Sequence, residues 1–140
     1  MVDETKSNEV KTQMYNQPLG IYKRWKHSLN QELQLSSLRF LLPDATSVEV
    51  PVSSTILLGR QEANDNTIDV DLSAFGAGSG VSRTHAAIQI THSAVFVRDL
   101  ESRNGVYING EELFAMRDYA IHDGDELKLG NLKLRVIFIP

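Results

Sequence analysis

The sequence predicts an all-β fold, a two-sheet antiparallel β-sandwich or a barrel, preceded by a flexible N-terminal extension. Three observations lead there. After Ser37 short apolar stretches alternate with polar residues at a period of two, the spacing of a strand with one buried face. Turn pairs recur between them, with Asn104-Gly105, Asn109-Gly110 and Asp123-Gly124 the strongest. The stretch before Ser37 has a different texture, polar and poor in residues that could build a core.

Taken in order, residues 1 to about 17 are rich in Asp, Glu, Lys, Asn, Gln, Ser and Thr, and disorder is expected there. Beyond Pro18 and Gly20, Ile21, Trp25, Leu29 and Leu33 recur every four residues, which predicts a short helix near residues 20–34. Lys23, Arg24 and Lys26 lie among them without an acidic residue between Ile21 and Asn30. Two readings fit: a linker whose Trp25 docks on the domain, or a basic helix for a partner or membrane surface. The expected division is therefore an extension over 1–36 and a β-domain over 37–140. Within the latter, strands are expected at Leu38–Leu42, around Val48, Val50 and Val52, and at Thr55–Leu58. Ile68, Val70 and Leu72 alternate over Thr67–Leu72, Ala86, Ile88 and Ile90 over His85–Thr91, and Val95, Val97 and Asp99 over Ala94–Leu100. Asn109-Gly110 reads as a hairpin, and Glu126–Leu129 with Leu132–Ile139 as a final pair around Gly130-Asn131. The stretch Gly76-Ala77-Gly78-Ser79-Gly80 reads as a mobile loop.

Composition narrows the function. The chain of 140 residues carries a formal net charge of −4, which argues against nucleic acid as the main partner, since a protein neutralising many phosphates is usually basic. It has no cysteine, which removes disulfides, thiolate metal sites and a cysteine nucleophile, and suits a reducing cytoplasm. No apolar run reaches the ~18–20 residues of a membrane helix, so no membrane span is expected. His27, His85, His92 and His122 are scattered without ligand spacing, so neither a metal nor another cofactor is expected. Ser82, His85 and Asp99 invite comparison with a hydrolase triad, but there is no nucleophile elbow, and the chain reads as a non-enzyme. Gly76, Gly78 and Gly80 are followed by no lysine and open no helix, so they fit no nucleotide-loop template.

Four pieces stand out from this background. Leu58-Gly59-Arg60 closes one strand, and Val81-Ser82-Arg83-Thr84-His85-Ala86 enters another. Ser102-Arg103-Asn104-Gly105 follows a third strand and precedes Asn109-Gly110, and His122-Asp123-Gly124-Asp125 precedes the last pair. Arg60 offers a planar fork suited to phosphate oxygens, Ser82 a hydroxyl donor, and Asn104 both a donor and an acceptor for an extended backbone. Strand ends and loops at one end of a sandwich are where a rigid scaffold can hold such groups together.

In order and spacing these pieces resemble the forkhead-associated (FHA) family, over about Leu38 to Pro140, and in layout its short bacterial-type members with an N-terminal tail. The resemblance implies a two-sheet β-sandwich that binds phosphothreonine peptides in serine/threonine kinase signalling. It implies that Arg60 and Ser82 contact phosphate, with Arg83 a further contact, and that Asn104 binds the peptide main chain just after the phosphothreonine. Arg103 stands where many members have a threonine that touches phosphate; it either adds a second charge or points to solvent. Gly59, His85 and Gly105 are implied to shape the site. The implied partner is a phosphothreonine-containing protein, a kinase or its substrate, bound by a cytoplasmic monomer. Thr5 and Thr12 in the extension are candidate phosphoacceptors that could return to the chain's own pocket. The rival reading is a phospho-independent assembly scaffold that uses the sheet face.

Overall fold

Period-two alternation sends successive side chains to opposite faces, and the computed structural model, which describes residues 33–64 and 66–140, pairs the resulting strands into two sheets. The expectations for residues 1–32, including most of the short helix, Trp25, Thr5 and Thr12, lie outside the described residues. The strands are β1 (Ser37–Leu41), β2 (Ser47–Pro51), β3 (Thr55–Gly59), β4 (Val70–Asp71), β5 (Ala86–Ile90), β6 (Val95–Asp99), β7 (Val106–Ile108), β8 (Glu111–Glu112), β9 (Asp118–Ile121), β10 (Glu126–Leu129) and β11 (Leu132–Ile139).

One sheet runs β2-β1-β11-β10-β7-β8 and the other β4-β3-β5-β6-β9. The last strand thus lies inside the first sheet: β11 is antiparallel to both β1, from Ser37↔Ile139 to Leu41↔Arg135, and β10. Inward side chains from both sheets meet in one core, with Phe40, Leu127 and Leu134 from the first and Ile56, Ile88 and Tyr119 from the second, each at most 1% exposed.

Three features differ from the expected pattern. The sheets are antiparallel except at one edge, where β4 runs parallel to β3. β4 is two residues long although the apolar alternation spans Thr67 to Leu72. Before it, the Asp69 carboxylate accepts the Leu57 N–H at 2.8 Å, so a side chain takes the place of a ladder partner. β9 gave no alternating signal, because Tyr119, Ala120 and Ile121 are all buried.

The antiparallel pairing also fixes which loops share an end. In the β5–β6 pair, Ala86 faces Asp99 at one end and Ile90 faces Val95 at the other. The loops around Arg60, Ser82 and Asn104 belong to the first end. The chain enters at the second, where the Leu33 N–H bonds the His92 carbonyl at 2.8 Å.

Candidate functional site

β3 ends on a glycine for lack of room. A Cβ on Gly59 would overlap the Arg83 carbonyl and sit 3.1 Å from that of Ser82, so only a hydrogen lets the Ser82-Arg83 backbone close over the strand end. That approach brings Arg60 to the same loop. Its backbone N–H bonds the Ser82 carbonyl at 3.1 Å, and its Nε donates to the Val81 carbonyl. The guanidinium is half-buried and aimed, and its four other N–H groups have no acceptor among the described residues. Past Arg60 the chain is held by Asp71, whose carboxylate accepts the N–H groups of Gln61 at 3.1 Å and Ser73 at 3.0 Å. Burial acts to raise this carboxyl, but these amide hydrogens outweigh it and hold it below the ordinary aspartate value.

His85 is fully buried where two loops meet. Its Nδ1 accepts the Ser82 N–H at 2.9 Å, which places the ring proton on Nε2, where it bonds the Gly105 carbonyl at 2.8 Å. Burial pushes its pKa below the ordinary histidine value, against the opposing pull of the Gly105 carbonyl and the Asp99 carboxylate. The neutral ring therefore ties the Ser82 loop to the Gly105 loop. It bonds the serine's backbone and not its hydroxyl, so the triad geometry does not form.

Ser82 is the meeting point. Its hydroxyl accepts the Arg103 N–H at 3.2 Å and keeps its own proton to donate. The Arg103 and Asn104 side chains are exposed, in a loop shaped by short-range bonds. Asp99 accepts the Ser102 N–H at 2.9 Å, the Ser102 hydroxyl accepts the Gly105 N–H at 3.0 Å, Glu101 adopts φ +57° and Gly105 φ +87°. The Asn104 amide donates to the Gly80 carbonyl at 3.0 Å, which leaves its Oδ1 and second N–H for other partners. Arg83 turns aside: its Nε pairs with the Glu62 carboxylate at 2.9 Å on the surface. Among the described residues no carboxylate lies within ion-pair distance of Arg60 or Arg103.

The structure thus brings together Gly59, Arg60, Ser82, His85, Arg103, Asn104 and Gly105, with Arg83 beside them in its own ion pair. It also adds residues that sequence reasoning did not assign. The stretch from Gly76 to Gly80, expected to be a mobile loop, contains a 3-10 turn, Ala77–Ser79, directly after another at Ser73–Phe75, and its end is fixed. Ser79 is buried, its carbonyl accepts the Asn131 N–H at 2.8 Å, and Gly80 lies so close to Gly130 that a Cβ on Gly130 would collide with the Gly80 carbonyl. The glycine of the Gly130-Asn131 turn was the available signal, but what it touches lies far away in the chain. Among the described residues no cluster of His, Asp or Glu is arranged to hold a metal ion, and no helix is long and apolar enough to cross a membrane.

A sandwich that gathers such groups in loops at one end is a β-sandwich interaction module. The chain belongs to the FHA domain family, whose model matches residues 56–130. FHA domains are phosphopeptide-binding interaction modules. Among curated proteins, the chain is 36% identical over 85 residues to protein FraH of Nostoc sp., covering 59% of this chain and 29% of that protein. It is 31% identical over 102 residues to the ABC transporter ATP-binding/permease protein Rv1747 of Mycobacterium tuberculosis, covering 73% of this chain and 10% of that one. The chain thus spans less than a third of the length of either relative. Among solved structures, the FHA domain of an Arabidopsis thaliana protein superposes with a TM-score of 0.62 at 26% identity, covering 79% of this chain and 92% of that one. An FHA domain solved in a study of phosphothreonine-dependent FHA interactions has the same fold, with a TM-score of 0.59 at 24% identity, covering 74% of this chain and 98% of that one.

Proposed function

We propose that this domain, residues 37–140, binds phosphothreonine peptides, with phosphate held by Arg60 and Ser82 and flanked by Arg103 and Arg83, and with Asn104 on the peptide main chain. The observation that carries the reading is that backbone bonds bring three residues together: the Arg60 N–H bonds the Ser82 carbonyl, the Arg103 N–H bonds the Ser82 hydroxyl, and neither arginine is neutralised by a carboxylate among the described residues. A phosphate brings a charge of about −1.5 to −2 and three acceptor oxygens. Charge-assisted hydrogen bonds contribute about 1.5–3 kcal/mol each, so two or three supply most of a micromolar affinity, about −8 kcal/mol. Phosphothreonine is favoured over phosphoserine, since one buried methyl adds about 0.8 kcal/mol. The partner is a phosphothreonine-bearing protein, a serine/threonine kinase or its substrate, met in the cytoplasm by a monomeric domain without catalysis of its own.

Thr5 and Thr12 extend this reading. The chain enters the sandwich at the end away from the loops, yet the residues between Thr12 and Leu33 can span up to ~70 Å when extended, against ~17 Å for a five-residue strand. A phosphate on either threonine can therefore reach the chain's own site and compete with a peptide in trans.

The test is a titration of isotope-labelled protein with phosphothreonine peptides, followed through backbone amide shifts, with phosphoserine and unphosphorylated controls. Phosphate-dependent shifts at Arg60, Ser82, Arg103 and Asn104 are expected, and Arg60→Ala should weaken binding about 10- to 100-fold. Binding to a partner that ignores phosphate and survives Arg60→Ala would replace the reading with a phospho-independent scaffold.

A further inference from the structure

The β8–β9 connection holds two large apolar side chains out in solvent on a backbone with little freedom. Leu113 anchors it in the core, whereas Phe114 is 58% and Met116 47% exposed. The N–H groups of Leu113, Phe114 and Met116 donate to the Val106 carbonyl at 2.9 Å, the buried Tyr119 hydroxyl at 3.0 Å and the Asp99 carbonyl at 2.8 Å. Met116 is held at φ +62°, a left-handed conformation that non-glycine residues rarely adopt and that persists only when its surroundings enforce it. The Arg117 guanidinium lies 5.4 Å from the centre of the Phe114 ring and steadies it. A plain connection needs neither the backbone strain nor the exposed ring.

This tip faces the loop that carries Arg103 and Asn104. Between them opens a groove of about 530 Å³, with Ser102, Arg103 and Asn104 on one wall and Glu112, Phe114 and Ala115 on the other. The groove thus shares Arg103 and Asn104 with the proposed phosphate cluster, so a peptide held at Asn104 would border it. We propose that Phe114, presented by the strained turn at Met116, is a specificity-determining residue that takes an apolar side chain of the ligand within a few residues of the phosphothreonine. The proposal rests on the phosphopeptide reading. An apolar occupant fits at this wall because the exposed Phe114 ring and the Ala115 methyl beside it offer apolar surface that a ligand's aliphatic side chain would cover.

A thermodynamic cycle tests it. Wild-type protein and Phe114→Ala, each confirmed as folded by its amide spectrum, are titrated with phosphothreonine peptides carrying leucine or alanine at each flanking position in turn. At one position the wild type should prefer leucine about tenfold, as expected for burying one aliphatic side chain, and Phe114→Ala should lose that preference while binding the alanine peptide as the wild type does. Phe114→Ser serves as a second variant with the same expectation. Equal preference in wild type and variants, or no apolar preference at any position, overturns the proposal. So does concentration-dependent self-association abolished by Phe114→Ala with peptide preference unchanged, which would make the tip a contact between copies of the chain. Arg60→Ala separates the two readings: a loss of phosphopeptide affinity of about 10- to 100-fold in that variant upholds the phosphate site whatever Phe114 does. A wild type that binds no phosphopeptide removes both.

Discussion

At Gly59 the site depends on a missing side chain. The Ser82-Arg83 backbone occupies the space a Cβ would need, so Gly59→Ala must push that loop away or break the strand end. Overpacking of this kind costs about 1–3 kcal/mol. Chemical denaturation should show that loss, with amide shifts displaced at Arg60, Ser82 and Arg83. His85 makes a second residue-scale prediction, this one in pH. Its folded pKa lies below the ordinary 6.5, so as pH falls through that value the unfolded chain takes up a proton that the buried ring resists. Stability from this residue is full above about pH 6.5 and declines as pH falls below it toward the folded pKa. Urea titrations between pH 7.5 and 5 should show the decline, and His85→Gln should flatten it. The carboxyls held low by hydrogen bonds, Asp44 and Asp71, start from 3.8 and act at lower pH.

At the scale of elements, Tyr119 on β9 links the core to the apolar tip. Its ring is fully buried, and its hydroxyl, raised in pKa by burial, accepts the Phe114 N–H. Tyr119→Phe keeps the ring and removes that acceptor. It should cost about 1 kcal/mol in thermal or denaturant unfolding and quicken hydrogen exchange at the Phe114 amide. β9 also shows where a pattern of two periods runs out. A strand is legible when one face is wet: Val95, Val97 and Asp99 are buried on β6 while Phe96 and Arg98 are half-buried between them. On β9 both faces are covered, and four residues are too few to establish a period. β4 errs the other way, since Ile68, Val70 and Leu72 are all buried as a strand's would be, yet only Val70 and Asp71 pair with β3. The groups around Ser82 could be read from the sequence because each sits in a short local motif. The seam of Gly80 against Gly130, and the ion pair that draws Arg83 to Glu62, could not, because both depend on which loops the sheets bring together.

For the molecule as a whole, the question is how much chain the binding loops need beneath them. Every loop residue proposed to bind phosphate lies within residues 56–130, the segment that matches the family model. That segment keeps the five-stranded sheet from β4 to β9, apart from the first residue of β3, but lacks β1, β2 and β11 from the six-stranded one. It therefore loses Leu38, Phe40, Leu132, Leu134 and Val136, all buried in the shared core. At about 1.5–3 kcal/mol for each buried side chain, the loss is about 8–15 kcal/mol. A domain of this size has only about 5–15 kcal/mol of net stability to lose. A chain trimmed to residues 56–130 should accordingly show collapsed amide dispersion, no cooperative thermal transition and no phosphopeptide binding, whereas residues 33–140 should melt in a single transition and bind. A trimmed chain that folds and binds would mean that the five-stranded sheet alone can position the loops, and that β11 pairing with β1 is not what holds the site in place.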